Sequence, residues 1–142
     1  MILYGQPVAM PQGSEWMQWG NPRVAAVLFS DWHGLFTWTP LVAVAVAGLV
    51  PLWQRNRLVA AGMIGAFLVS VYANAAVLEW WAGEAYGSRR FVSCFPIFVV
   101  GLAALIDRAR SHTRALSVLI VALVMLNGLL LFQYQLFMHG LR

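Results

Sequence analysis

The chain has 142 residues, 61% of them hydrophobic and only 10% charged, whereas a soluble domain carries about 25% charged residues. This composition excludes an ordinary soluble fold and points to one small integral membrane domain. The net charge of +4 comes from nine arginines and no lysine; they sit scattered at helix ends and form no stripe, which argues against a nucleic-acid partner.

Residues 1–20 read as loop, because Pro7, Pro11, Gly13 and Gly20 interrupt any helix while Trp16 and Trp19 suit a membrane interface. Met1–Ala9 has no basic start and an early proline, unlike a signal peptide, and its polar phrasing reads as the continuation of a longer chain. Asn21 and Pro22 predict a helix start, with Asn21 as cap and Pro22 in the first turn, opening a short interfacial helix over Arg23–Phe29. Ser30–Gly34 interrupts it.

Four apolar stretches follow, roughly Thr37–Trp53, Leu58–Leu78, Phe91–Ile106 and Ala115–Met138, against the ~20 residues that cross a bilayer core. Residues 1–36 are thus expected as an outward-facing loop and short helix, and 37–142 as an all-α domain of about four transmembrane helices. The first span opens at Thr39–Pro40. Its Val-Ala alternation over residues 42–47 imitates a strand, but an open strand in lipid leaves backbone groups unpaired, so a helix is expected. The second span repeats small or polar residues at Gly62, Ala66, Ser70 and Asn74, one face on which another helix can approach and Asn74 can find a partner. Pro96 falls in the first turns of the third span, where it caps or kinks. The fourth is clean until Asn127–Gly128 and ends in Gln133, Tyr134 and Gln135. Cys94, the lone cysteine, lies in an apolar run and excludes an intrachain disulfide.

The loops after spans one and three carry Arg55, Arg57, Arg108, Arg110 and Arg114 against Asp107 alone. The positive-inside rule places them in the cytoplasm and the Glu79–Arg90 loop outside. That outer loop holds Glu79, Trp80, Trp81, Glu84, Tyr86, Arg89 and Arg90. An arginine pair at headgroup depth offers planar forks for a lipid phosphate, with Trp80, Trp81 and Tyr86 to flank a lipid chain or stack on a sugar. The same residues also fit an interface belt in which Glu79 or Glu84 pairs with the guanidiniums. Asp31 and His33 have the types needed for acid–base work, but one Asp and one His make a poor metal site, and no cofactor or metal is expected. Glu79 and Glu84 have a spacing too common to mark a glycosidase pair.

Two phrases carry a family resemblance. Tyr4-Gly-Gln-Pro7, Pro11-Gln-Gly-Ser14 and Phe29-Ser-Asp-Trp-His-Gly-Leu-Phe-Thr-Trp-Thr-Pro40 form the first; Trp81-Ala-Gly-Glu-Ala-Tyr-Gly-Ser-Arg-Arg-Phe-Val92, leading to Pro96, forms the second. From about Tyr4 to about Leu105 the chain resembles the C-terminal half of bacterial GT-C type glycosyltransferases, the relatives of protein O-mannosyltransferases and lipid A aminoarabinose transferases. The resemblance implies a bacterial inner-membrane protein using a polyprenyl-phosphate-linked sugar at the outer face, with its catalytic acid in an N-terminal half that is missing here. This chain is then expected to be inactive alone. Trp32 stands where the resemblance leads one to expect Arg, and Glu84 where it leads one to expect a small polar residue, so Arg89 and Arg90 are the remaining phosphate candidates. His33 matches the phrase without an implied role. The alternative is a small non-enzymatic subunit that scaffolds a membrane complex through the Gly62–Asn74 face.

Overall fold

In the computed structural model of the chain, residues 16–81, 83 and 86–140 are described, the last three as backbone only. The sequence phrases at Tyr4–Ser14, and Glu84, lie outside them. The described residues form an all-α membrane protein: Arg57–Ala76, Arg89–Arg108 and Arg110–Phe137 are long and apolar enough to cross a bilayer, and Pro40–Arg55 is shorter. In chain order the helices are α1 (Val24–Phe29), α2 (Leu35–Trp38), α3 (Pro40–Ala47), α4 (Leu49–Arg55), α5 (Arg57–Ala76), α6 (Phe95–Arg108) and α7 (Thr113–Gly140). A 3-10 turn, Arg89–Cys94, leads into α6.

The alternating Val-Ala run is helical, as lipid burial demands. The first apolar stretch is not one rod. Gly48 divides it into α3 and α4 at the point where it crosses α6. A Cβ on Gly48 would overlap the carbonyl of Gly101, and one on Gly101 would overlap the carbonyl of Ala45. The two backbones are therefore in direct contact, which only glycine at both positions allows. Around this crossing packs the core: Val42, Ala45 and Leu49 from α3–α4, Phe67, Val71 and Ala75 from α5, and Phe91, Ile97 and Phe98 from the third span. Phe67 holds the centre, with ring centroids 6.2 Å from Phe91 and 5.9 Å from Phe98.

Asn56 alone joins α4 to α5, and its side chain caps α5 by accepting from the Val59 amide at 3.1 Å. At the other end α5 leaves carbonyls without helical partners. The preceding segment satisfies them: the Gln18 amide donates to Ala76 O at 2.6 Å and the Arg23 amide to Ala75 O at 2.9 Å. Tyr72 adds a hydrogen bond to Trp19 O at 2.7 Å. This docking moves the start of α1. Arg23, whose amide is committed to α5, is the N-cap, and no side chain caps the helix, so the expected Asn21–Pro22 start is displaced.

The Gly62–Asn74 face is a second departure. Gly62 and Ala66 are exposed, a Cβ on Gly62 would meet nothing, and Asn74 donates to Ser70 O of its own helix at 2.8 Å. The buried face of α5 is Ala60, Phe67, Val71 and Ala75, because large side chains there fill the space beside the Gly48–Gly101 crossing.

Candidate functional site

The α1–α2 corner, residues 79–81, 83 and 86–88, and the C-terminal half of α7 meet at one end of the bundle. Pro40 has no amide to donate, and the Val42 amide bonds to Thr39 O. The carbonyl of Trp38, the last residue of α2, is left without a helical partner because the Val42 amide that would reach it is taken by Thr39 O. Asn127 of α7 donates to it through Nδ2 at 2.7 Å. The Tyr86 hydroxyl sits 3.1 Å from Asn127 O and 3.3 Å from Trp38 O, placed to donate to either. Burial pushes the Tyr86 phenol up, which keeps it a donor. One broken helix thus ties three segments together.

Trp38 is the hub. Its indole N–H donates to Asp31 O at 2.9 Å, closing the turn before α2. Its ring packs edge-on against Tyr86 at 5.4 Å and Tyr134 at 5.8 Å, and lies 6.1 Å from His33. Gly87, with φ +59, lets the chain before the Arg89–Cys94 turn pack against Trp38 and Thr39. Ser88 then donates to His33 O at 2.6 Å. These contacts explain locally why residues 33–40 and 87–91 carry the types they do.

The result is an open cleft of about 920 Å³. Trp32, His33 and Trp38 form one wall, Trp81 and Gly83 a second, and Leu130, Tyr134 and Phe137 of α7 a third. It is mainly aromatic, with Asp31, Thr37 and Gln133 as polar lining. His33 is 4% exposed and its Nδ1 is buried with no hydrogen-bond partner. Burial lowers its pKa, so the imidazole is neutral at neutral pH. It makes no hydrogen bond to Asp31, which is exposed; the two do not form an acid–base dyad here. Among the described residues no three His, Cys, Asp or Glu side chains come together as a metal cluster.

The sequence-derived candidates separate. His33 and Trp81 line the cleft, and Tyr86 stands behind it as a clamp. Trp80 contacts Trp81 edge-on at 5.9 Å but packs against the hydrophobic core. Arg89 and Arg90 do not line the cleft; they stand beside it, held by the buried Phe91. Arg89 reaches back toward Gly83, whose Cβ would lie 3.9 Å from its Nη2. Arg90 is half-buried, and its Nη1 has no partner. Of the alternative pairings, that with Glu84 lies outside the described residues and that with Glu79 is not a direct ion pair, since among the described residues ion pairs within 4 Å occur only at Asp107; Glu79 acts on Arg90 from longer range. Trp38, Asn127 and Tyr134 were not expected as site residues. Asn127 had a signal, a polar side chain deep in an apolar span; Trp38 had none, because its role rests on a backbone carbonyl. No family model, curated protein or solved structure matches the chain.

Proposed function

We propose that this chain is part of a GT-C-type membrane glycosyltransferase and holds a polyprenyl-phosphate-linked sugar at the outer membrane face. The observation that carries the reading is the pairing of an open aromatic cleft with two adjacent guanidiniums that make no ion pair within 4 Å among the described residues, Glu79 acting on Arg90 only from longer range. A buried donor left without a partner costs about 1–3 kcal/mol, and a phosphate oxygen at Arg90 Nη1 would recover it. Trp32, Trp38, Trp81 and Phe137 offer apolar faces to an isoprenoid chain or a sugar ring. Arg89 and Arg90 would then neutralise the phosphate as the sugar–phosphate bond breaks. Transfer also needs a catalytic acid, a role the resemblance gives to none of the cleft or arginine residues named here.

The arginine asymmetry supports an orientation with Arg55–Arg57 and Arg108–Arg114 in the cytoplasm and the cleft outside. Cys94 is buried, so the wild type is a silent background for labelling. A cysteine at exposed Glu79 should react with an impermeant thiol reagent on intact cells; reaction only after lysis reverses the orientation. For the site, binding of polyprenyl phosphate at fixed salt should fall about tenfold in Arg89→Gln/Arg90→Gln, as expected for losing charge-assisted bonds. Equal binding by the two proteins removes the reading. The exposed Gly62–Ala66 face favours a second reading, a non-enzymatic subunit that packs against other membrane helices. Under that reading the arginine substitutions are silent and Gly62→Leu disrupts assembly.

A further inference from the structure

The opposite end of the bundle carries a different feature. From the Gly48–Gly101 contact, α4 and α6 run side by side to the arginine end, and a groove of about 460 Å³ lies between them. Leu52 and Arg55 on α4 face Val100, Ala104 and Arg108 on α6. Both sets recur every three or four residues, so each is one continuous helix face. Ala103 and Ala104 keep the α6 wall low, which is why the groove stays open where the core is closed by Phe67 and Phe98. The walls are apolar near the crossing and cationic at the mouth.

The charge at the mouth is unbalanced. Asp107 bridges Arg55 at 2.9 Å and Arg110 at 2.7 Å, and both arginine side chains are more than three-quarters exposed. Exposed pairs of this kind are weak and exchange readily. Arg108 is exposed and makes no ion pair among the described residues, and Arg57 and Arg114 add to the same end. A soluble anion would use the arginines and leave the apolar walls empty. A ligand with an anionic head and a hydrocarbon tail uses both, and basic pockets between membrane helices hold such headgroups.

We propose that the α4–α6 groove is a binding site for an anionic glycerophospholipid, with its phosphate between Arg55 and Arg108 and one acyl chain along Leu52, Val100 and Ala104. This site is independent of the aromatic cleft and of the glycosyltransferase reading, and it lies at the other end of the helices. The bound lipid would join α4 to α6 below their glycine crossing, adding to the Arg55–Asp107 pair at the mouth.

The test uses the intact purified protein in mild detergent, with phosphatidylglycerol and phosphatidylcholine of identical acyl chains. Retained lipid is counted by native mass spectrometry, and the thermal midpoint is followed in parallel. Wild type should retain phosphatidylglycerol in preference to phosphatidylcholine. Arg108→Gln should lower that preference about fivefold, and Arg55→Gln/Arg108→Gln should lower it further, at about fivefold for each arginine. Ala103→Phe fills the groove at an exposed position and should reduce retention with every charge intact. Arg23→Gln, at the far end, should leave retention unchanged. Equal retention of the two lipids by wild type overturns the site. So does unchanged preference in Arg55→Gln/Arg108→Gln. Unchanged retention in Ala103→Phe would reduce the effect to diffuse surface charge and overturn the groove. Arg108 is exposed and makes no ion pair among the described residues, so its variant tests the proposal even where Ala103→Phe fails to fold.

Discussion

Helices α6 and α7 are both apolar enough to cross a membrane, yet they pack in opposite ways. α6 buries Ile97, Phe98 and Gly101 in the core. α7 buries none of its described side chains; it meets α3 with a half-buried stripe of Leu116, Ile120, Leu123, Asn127, Leu130 and Tyr134. The difference lies in one kind of residue. Gly101 lets α6 touch another backbone, so its neighbours Ile97 and Phe98 reach into the bundle. α7 has Gly128, but a Cβ there would meet nothing, so that glycine brings no helix closer. Hydropathy reports compatibility with lipid, whereas close packing needs a small residue placed at a crossing. α7 is instead attached by a hydrogen bond, Asn127 to Trp38 O, and by aromatic edges at the cleft.

The comparison breaks most visibly at the glycines. Gly101→Leu should cost about 3 kcal/mol or more, since overpacking ordinarily costs 1–3 and here the obstacle is backbone rather than a flexible side chain. Gly128→Leu should cost nothing and gain a few tenths of a kcal/mol from helix propensity. Unfolding in denaturing detergent measures both; equal effects would mean that α6 and α7 are packed alike. Next comes Asn127→Leu, which should cost about 1 kcal/mol, the scale of a hydrogen bond between membrane helices, and should raise hydrogen exchange in α7 while leaving α6 protected. Uniform protection in both helices would show that α7 is held by more than the Trp38 carbonyl.

A smaller effect depends on pH. His33 is buried and its pKa is lowered from its ordinary value near 6.5. The folded state therefore binds fewer protons than the unfolded state. The stability present above about pH 6.5 is lost as pH falls through that value toward the lowered folded pKa. His33→Gln, which cannot titrate, should flatten this acid-side loss in thermal melts between pH 7 and 5; an unchanged slope would assign the loss elsewhere. The smallest effect is expected on the exposed face of α5. Gly62→Leu and Ala66→Leu should each lie within about 0.5 kcal/mol of Val69→Leu in the isolated chain, as ordinary surface substitutions do. A larger penalty would restore the buried face that the small-residue spacing suggests.

That face shows how a sequence pattern can be read correctly and placed wrongly. The spacing of Gly62, Ala66, Ser70 and Asn74 does mark one side of a helix. Which side turns inward was decided by Phe67, Val71 and Ala75, because their volume fills the space left beside the α3–α6 crossing. The site was legible in the same partial way. His33 and Trp81 line the cleft, while Arg89 and Arg90 do not and Trp80 turns into the core. Trp38 was hidden, since its role depends on a carbonyl left open at the end of α2 and filled by a residue 89 positions away.

The sequence by itself determined the class of the protein: low charge and apolar runs far longer than the roughly 9–11 residues of a barrel strand leave helices as the way to pair the backbone in lipid. It also determined the helix ends at Pro40 and Pro96, because proline fixes its own backbone geometry and donates no hydrogen bond. The tertiary structure alone decided the break at Gly48, the start of α1 after Arg23, the inward face of α5 and the aromatic cleft. Each of these depends on a contact between segments distant in the chain: backbone against backbone at Gly48–Gly101, Arg23 on a carbonyl of α5, and Asn127 on the Trp38 carbonyl. Local periodicity carries no information about which distant surface a residue will meet.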